Sequence, residues 1–448
     1  MGRASQFSAS MLYFPVESFL SDYYLFHKHS EEDFNRFLKL LYTENLQVTL
    51  FCKDGSADKK ETYYGIGYRS SDLEKELVAE IKSQGIYEEF SYPKQNEYIP
   101  TQLELVKKQK SYEPSYEVYR GWSHLYSQID TELGIPKGSL SVSFISDVID
   151  GDPENYLLAK LFTAVKKEEL NEWGYPVRLA GLGYNISHGY NTITLDVSGY
   201  SQHLPHLLSN LIVDRGNARR INHVEIDRNT FEEIKTKFKK SVMNKAHDAA
   251  YQQLLFENGN FFSSASVHRN DYIRFIDEVT LEKVNVFARK FFSEVSIRSY
   301  SFGNVDPEVV KPVVENFFED LQAVGFVEEE VALFENKYLE LPPGHHGMVL
   351  NGPTNNNAQL TLDKATDWTI QNQAYVDVIG KLMEQPYFTE LRTHQQLGYV
   401  VAGFAASGSG FCGLGTLIQS NSHESGDCYA RSDQFVKAHL EEMTKSIN

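Results

Sequence analysis

The sequence predicts an α+β architecture in which one layered unit is used twice. Three observations carry this reading. Short runs alternate apolar and hydroxyl side chains, as half-buried strands do, and longer runs place apolar residues at helical spacing. A degenerate motif also recurs at an interval of about 215 residues.

The elements follow in order. Ser30-Glu31-Glu32-Asp33 resembles a capping box and precedes Phe34, Phe37, Leu38 and Leu41, which predicts a helix; Leu46 to Phe51 reads as a strand. The polar stretch from Lys53 to Glu113, with Pro93 and Pro100, reads as a connecting segment. Leu140, Val142 and Phe144 alternate with serines and predict a strand, and Leu158, Leu161 and Val165 a helix running towards Trp173. Ile193, Leu195 and Val197 alternate with Thr192, Thr194 and Asp196 in a second strand. Helices are predicted over Leu204 to Val213, along the face Phe231, Ile234, Phe238 and Val242, and over Leu281 to Phe292. A strand over Val295 to Phe302 and a helix over Val309 to Val324 close the unit. Leu341-Pro342-Pro343-Gly344 is the linker candidate. Beyond it the programme restarts. Leu360 and Leu362 predict a strand, Val376, Ile379 and Met383 a helix, then two glycine-rich strands, Tyr399 to Ala405 and Phe411 to Ile418, precede a helix from Tyr429.

The restart carries the repeat. Glu172-Trp173-Gly174-Tyr175, Arg178 and Leu182-Gly183-Tyr184 are echoed by Glu384-Gln385-Pro386-Tyr387, Arg392 and Leu397-Gly398-Tyr399, although the Arg-to-Tyr interval is one residue longer in the second copy. If the units are equivalent, the second lacks its last helices and a closing strand, and the chain is expected to be a fragment.

Composition excludes several classes. A net charge of −18 argues against nucleic acid and against an anionic membrane surface, both of which need clustered Lys and Arg. The three cysteines, Cys52, Cys412 and Cys428, are too few and scattered for a disulfide framework or a thiolate cluster, which points to a reducing compartment, the cytoplasm or alternatively an organelle. No run approaches the roughly 18 apolar residues of a membrane span. Among fourteen histidines, the pairs His27/His29, His203/His206 and His345/His346 give neither His-x-x-Glu-His nor His-Glu-x-x-His, so no metal is expected in this chain. Gly408-Ser409-Gly410 reads as a turn between strands, without the Lys and Ser/Thr of a phosphate loop.

The segment Tyr387-Phe388-Thr389-Glu390-Leu391-Arg392-Thr393-His394-Gln395-Gln396-Leu397-Gly398-Tyr399-Val400-Val401 resembles a signature of the pitrilysin/insulysin family of zinc endopeptidases: an aromatic, then Leu-Arg-Thr, then Gln-Leu-Gly-Tyr. Gly413-Leu414 and Ile418-Gln419-Ser420 continue the match, and Asn96-Glu97-Tyr98-Ile99-Pro100-Thr101, Ala180-Gly181-Leu182-Gly183-Tyr184 and Gly199-Tyr200 extend it over nearly the whole chain. The resemblance implies repeated insulysin-type (LuxS/mitochondrial-processing-peptidase-like) α+β domains, each an antiparallel sheet with helices on one face. Residues 1–55 would be the end of a preceding domain, 56–90 a connecting segment, 91–335 a third-domain-like unit and 336–448 the first part of a fourth.

It further implies a clam-shaped peptidase in which zinc and its inverted motif sit in the N-terminal half, while the C-terminal half supplies chamber wall. Arg392 and Tyr399 match residues that reach substrate, and Phe388 a pocket-lining aromatic. Read without the resemblance, Arg392 is a helix-terminal charge and Phe388 and Tyr399 are core aromatics. The partners implied are a zinc-bearing N-terminal half and peptide substrates, with room for a homo-oligomer. This chain alone is then expected to be inactive and to hold no cofactor. A structural subunit of the same fold is the alternative reading.

Overall fold

A computed structural model describes residues 2–447 apart from 26–27, 54, 86, 88–89, 108–114, 121–122, 131, 150, 213–220, 264–266, 324–330, 336, 338, 340, 353 and 409. The chain divides into two units, Met1–Gln95 and Asn96–Asn448.

The first unit holds helices α1 (Gly2–Ser10), α2 (Glu31–Leu38) and α3 (Lys75–Ser83), with a two-stranded antiparallel pair, β1 (Lys59–Lys60) and β2 (Gly67–Tyr68). Ser30 caps α2 as its sequence predicts, accepting from the Asp33 amide at 3.1 Å. None of its described residues is buried, so the stripe of Phe34, Phe37 and Leu38 faces solvent. The strand expected over Leu46 to Phe51 does not form, because the segment finds no partner ladder among the described residues; Phe51 is 97% exposed.

The second unit is built on a six-stranded sheet of β3 (Ser115–Arg120), β4 (Ser123–Ile129), β5 (Lys137–Ile145), β6 (Leu182–His188), β7 (Thr192–Tyr200) and β8 (Ser296–Gly303). Its order is β3-β4-β8-β5-β7-β6. All pairs are antiparallel except β4 with β8, which run parallel. The long crossover that separates those two strands in sequence is what a parallel pair requires. Alternation sets the faces as expected: Leu140, Val142 and Phe144 are buried, as are Ile193, Leu195 and Val197.

Helices α4 (Pro153–Glu169), α5 (Gly174–Leu179), α6 (Leu204–Ile212), α7 (Arg228–Asn244), α8 (Ala250–Phe262), α9 (Arg269–Ile276), α10 (Leu281–Ser293) and α11 (Pro307–Ala323) complete this part. Asp152 caps α4, accepting from the Asn155 amide at 2.8 Å with Pro153 in the first turn. Leu158, Leu161, Phe162 and Val165 then join the sheet's core. Phe144 sits between Phe292 and Phe317, each ring centroid 5.5 Å away. Truncating so enclosed a ring costs about 3–5 kcal/mol. Val213 and Val324, the expected ends of α6 and α11, lie outside the described residues. Helices α8 and α9 fall where no element was expected.

Past the exposed segment Leu341–Gly344, β9 (Asn357–Asp367), β10 (Val400–Gly408) and β11 (Phe411–Ser420) form a three-stranded antiparallel sheet of order β10-β11-β9, which shares a core of its own with α12 (Ile370–Phe388) and α13 (Ser425–Ile447). Strand, helix, hairpin recurs here in the order of β5, α4–α5, β6 and β7, and the strand order β5-β7-β6 matches β9-β11-β10. Gly408 and Gly410, both at positive φ, turn the hairpin as predicted, and Ser409 between them lies outside the described residues.

Candidate functional site

The repeated motif builds a compact site at the end of α12. Pro386 lies inside that helix and lacks the N–H that would bond one turn back. The chain then widens into a π-turn over Thr389–His394, closed by the Gln395 amide donating to the Glu390 carbonyl at 2.9 Å. The Leu397 amide donates to the Leu391 carbonyl at 3.0 Å, and Gln396 takes a left-handed φ of 54°. Gly398 follows for a steric reason: a Cβ there would stand 1.9 Å from the Gln419 carbonyl oxygen on β11. That close crossing delivers Tyr399 to the surface, 81% exposed, immediately before β10.

The three residues singled out in the sequence are brought together. The Arg392 guanidinium carbon lies 4.7 Å from the Phe388 ring centroid and 4.4 Å from that of Tyr399, so the cation rests on two aromatic faces. Among the described residues Arg392 makes no hydrogen bond or ion pair, and neither does the Tyr399 hydroxyl. The acid in the same turn is turned elsewhere. Glu390 accepts from Gln395 Nε2 at 3.0 Å and pairs with His394 Nδ1 at 2.9 Å. Those bonds, Gln395's first, hold its carboxyl below the usual range. Gln395 Oε1 in turn accepts from Arg431 at 3.4 Å, and Arg431 is fixed by Asp427 at 3.0 Å. Glu390, Gln395 and Arg431 were not singled out from sequence; the Glu390–His394 spacing of one helical turn was the legible trace of them.

Next to Phe388 in sequence, Tyr387 belongs to the core of this part. It is fully buried, its hydroxyl shares a 2.7 Å hydrogen bond with Ser432, and Ser432 donates to Thr416 at 3.0 Å. Burial pushes its phenol up to about 12. The site therefore has a buried floor under a cluster in which Tyr399 is exposed and Phe388 and Arg392 are half-buried. Such a cluster can present several N–H donors and a phenolic O–H to a carbonyl or carboxylate beside an apolar ring.

No three His, Cys, Asp or Glu side chains stand together as a metal would need among the described residues. His206 lies by Asn210 and 4.0 Å from Glu97, and His346 contacts the Pro342 carbonyl at 2.7 Å. His27 lies outside the described residues. No helix among them is long and apolar enough to cross a membrane.

Residues 1–273 match the family described as the middle or third domain of peptidase M16, and residues 378–447 match the PQQ synthase PqqF-like C-terminal lobe domain 4. The chain belongs to the M16 peptidase family. It is 25% identical to insulin-degrading enzyme of Bos taurus over 100% of its own length and 44% of that protein. It is 22% identical to the A-factor-processing enzyme of Saccharomyces cerevisiae over 91% of its length and 40% of that protein. The crystal structure of pitrilysin shares the fold, with a TM-score of 0.68 at 17% identity over 98% of this chain and 46% of that one. The chain thus spans less than half the length of each of these three proteins.

Proposed function

We propose that this chain is the chamber-wall portion of a zinc metalloendopeptidase that degrades peptides, and that it binds substrate while a zinc-bearing N-terminal half supplies the chemistry. In this reading residues 91–335 and 336–448 act as third- and fourth-domain units. The observation that carries it is Arg392, a guanidinium held on two rings with no anionic partner among the described residues. A cation so placed is oriented by its rings yet keeps its donors for a ligand. Arg392 would grip a substrate carbonyl or terminal carboxylate, Tyr399 would donate to an oxygen that gains charge, and Phe388 would line the pocket beside them. The three free cysteines accord with a reducing, cytoplasmic setting.

The test is cleavage of an internally quenched peptide by the chain alone and after mixing with a zinc-bearing N-terminal half. Silence alone, activity on mixing, and losses of about tenfold or more in Arg392→Ala and Tyr399→Phe are expected. Restored activity that both variants leave unchanged would favour the scaffold role. Chelator-sensitive cleavage by the pure chain would overturn the division of labour.

A further inference from the structure

The face of the six-stranded sheet turned away from the helices carries a second feature. Its floor is small and polar: Ser141 Oγ donates to Asp196 at 2.7 Å, and Ser143 Oγ lies 3.0 Å from Thr194 Oγ1. Against it stands an aromatic ridge. Tyr126 on β4 is directly opposite Tyr300 on β8, and their rings stack at 5.1 Å and 14°. Phe302 follows two residues on, and Tyr300 and Phe302 are 49% and 48% exposed. Rings of this size left half in water on an otherwise hydroxyl-rich sheet are not needed by the core, which lies on the other face.

Arg298, two residues before Tyr300 and opposite Ser143, sits on the same face. It makes no ion pair among the described residues, and Asp196, on the same face two strands away, is engaged by Ser141. A ridge of rings ending in an unpaired cation is complementary to an extended chain that offers an apolar ring and a carboxylate on alternate residues. An acidic macromolecule without such rings, nucleic acid above all, would meet one cation on a chain of net charge −18.

We infer that Tyr126, Tyr300, Phe302 and Arg298 form a second peptide-binding surface, remote in sequence from Arg392, that selects extended peptides with an aromatic residue near an acidic one. The inference rests on the proposed peptide-binding role of the chain. Tyr300 and Phe302 hold an aromatic side chain by stacking, and Arg298 takes the carboxylate.

The test uses the full chain and a fluorescein-labelled twelve-residue Gly/Ser peptide carrying two Phe and two Glu, read by anisotropy, with Phe→Ser and Glu→Gln peptides as controls. The double variant Tyr300→Ser/Phe302→Ser should weaken binding about tenfold, as loss of a buried aromatic anchor does. Its far-UV spectrum should stay as in the parent chain and its unfolding stay cooperative, because both rings lie outside the core. Arg298→Gln should abolish the preference for Glu over Gln while leaving that for Phe over Ser. Arg392→Ala separates the two sites. If it weakens binding and the ridge variants do not, the ridge inference fails while the proposed function stands. If neither changes binding, the peptide-binding reading fails as a whole. Displacement of the peptide by a single-stranded oligonucleotide, with the ridge variants insensitive to the Phe→Ser change, would also overturn the inference.

Discussion

Replacing Arg392 by methionine keeps the length of the side chain and removes the cation that rests on Phe388 and Tyr399. Each cation–π contact at an exposed site is worth about 0.5–1 kcal/mol, so two faces at 4.7 and 4.4 Å give a joint coupling of about 1–2 kcal/mol. The assay is a double-mutant cycle in equilibrium urea unfolding, with Arg392→Met on one side and Phe388→Leu/Tyr399→Leu on the other. Midpoints should shift at constant denaturant dependence, so that the differences read as stability. Since the attraction is to ring quadrupoles and not to a carboxylate, the coupling should survive 0.5 M NaCl, where an exposed ion pair is screened. Additivity of the two sides within about 0.3 kcal/mol would show that the rings do not hold the guanidinium, and the preorganised site would be refuted.

Gly398→Ala should cost at least about 2 kcal/mol in thermal or urea unfolding, because the added Cβ meets the Gln419 carbonyl oxygen at 1.9 Å; a neutral result would mean the crossing is looser than described. Tyr387→Phe should lose about 1–2 kcal/mol by leaving Ser432 without its 2.7 Å partner, and a stability unchanged from the parent chain would remove that hydroxyl from the floor of the site. His188, next to Thr163 and Tyr156, is held at a pKa of about 4, first by burial and then by Lys160 and Lys167. The unfolded chain, titrating near 6.5, takes up its proton first, so stability is full above about pH 6.5 and falls towards pH 4, by roughly 2 kcal/mol at pH 5. Urea midpoints across that range should flatten in His188→Gln, and an equally steep decline in the variant would assign the effect to other groups.

The parts of the fold that were legible in the sequence are those where one physical rule acts alone. In β5 and β7 strict alternation of Leu140, Val142, Phe144 and of Ile193, Leu195, Val197 leaves no other face for the core. Periodicity alone marked α4 and α10: α10 forms over the span read, and α4 ends at Glu169, short of Trp173. Rules in competition were less readable. Helix α8 carries Gly259, buries no residue fully and shows no apolar stripe from which to infer it. Leu46 to Phe51 has strand propensity, but a ladder needs a partner, which propensity does not supply. The site was legible only through its motif. The stacking of Arg392 depends on a π-turn held by Glu390, Gln395 and Arg431, and Arg431 comes from a helix 32 residues beyond Tyr399. Local sequence cannot announce such a contact.

One trace of that turn was nevertheless present, and it bears on why the second copy of the repeat differs from the first. The first copy places Arg178 and Tyr184 six residues apart, and the second places Arg392 and Tyr399 seven apart. A π-turn accommodates one residue more than an α-turn, and this one, Thr389–His394, runs into the start of the interval. In the first copy the pair is structural. The Tyr184 hydroxyl donates to the Leu170 carbonyl at 2.7 Å, and its ring fills space that Gly174 leaves, since a Cβ there would stand 2.1 Å from that oxygen. Arg178 donates to the carbonyl and the side chain of Asn171, both at 3.2 Å. In the second copy Pro386 stands at the place of Gly174, and Tyr399 stands out in solvent with Arg392 against its face. Identical residue types at equivalent repeat positions are thus tied down in one unit and left with open donors in the other. Packing alone gives no reason for that difference, whereas the substrate grip proposed for Arg392 and Tyr399 would.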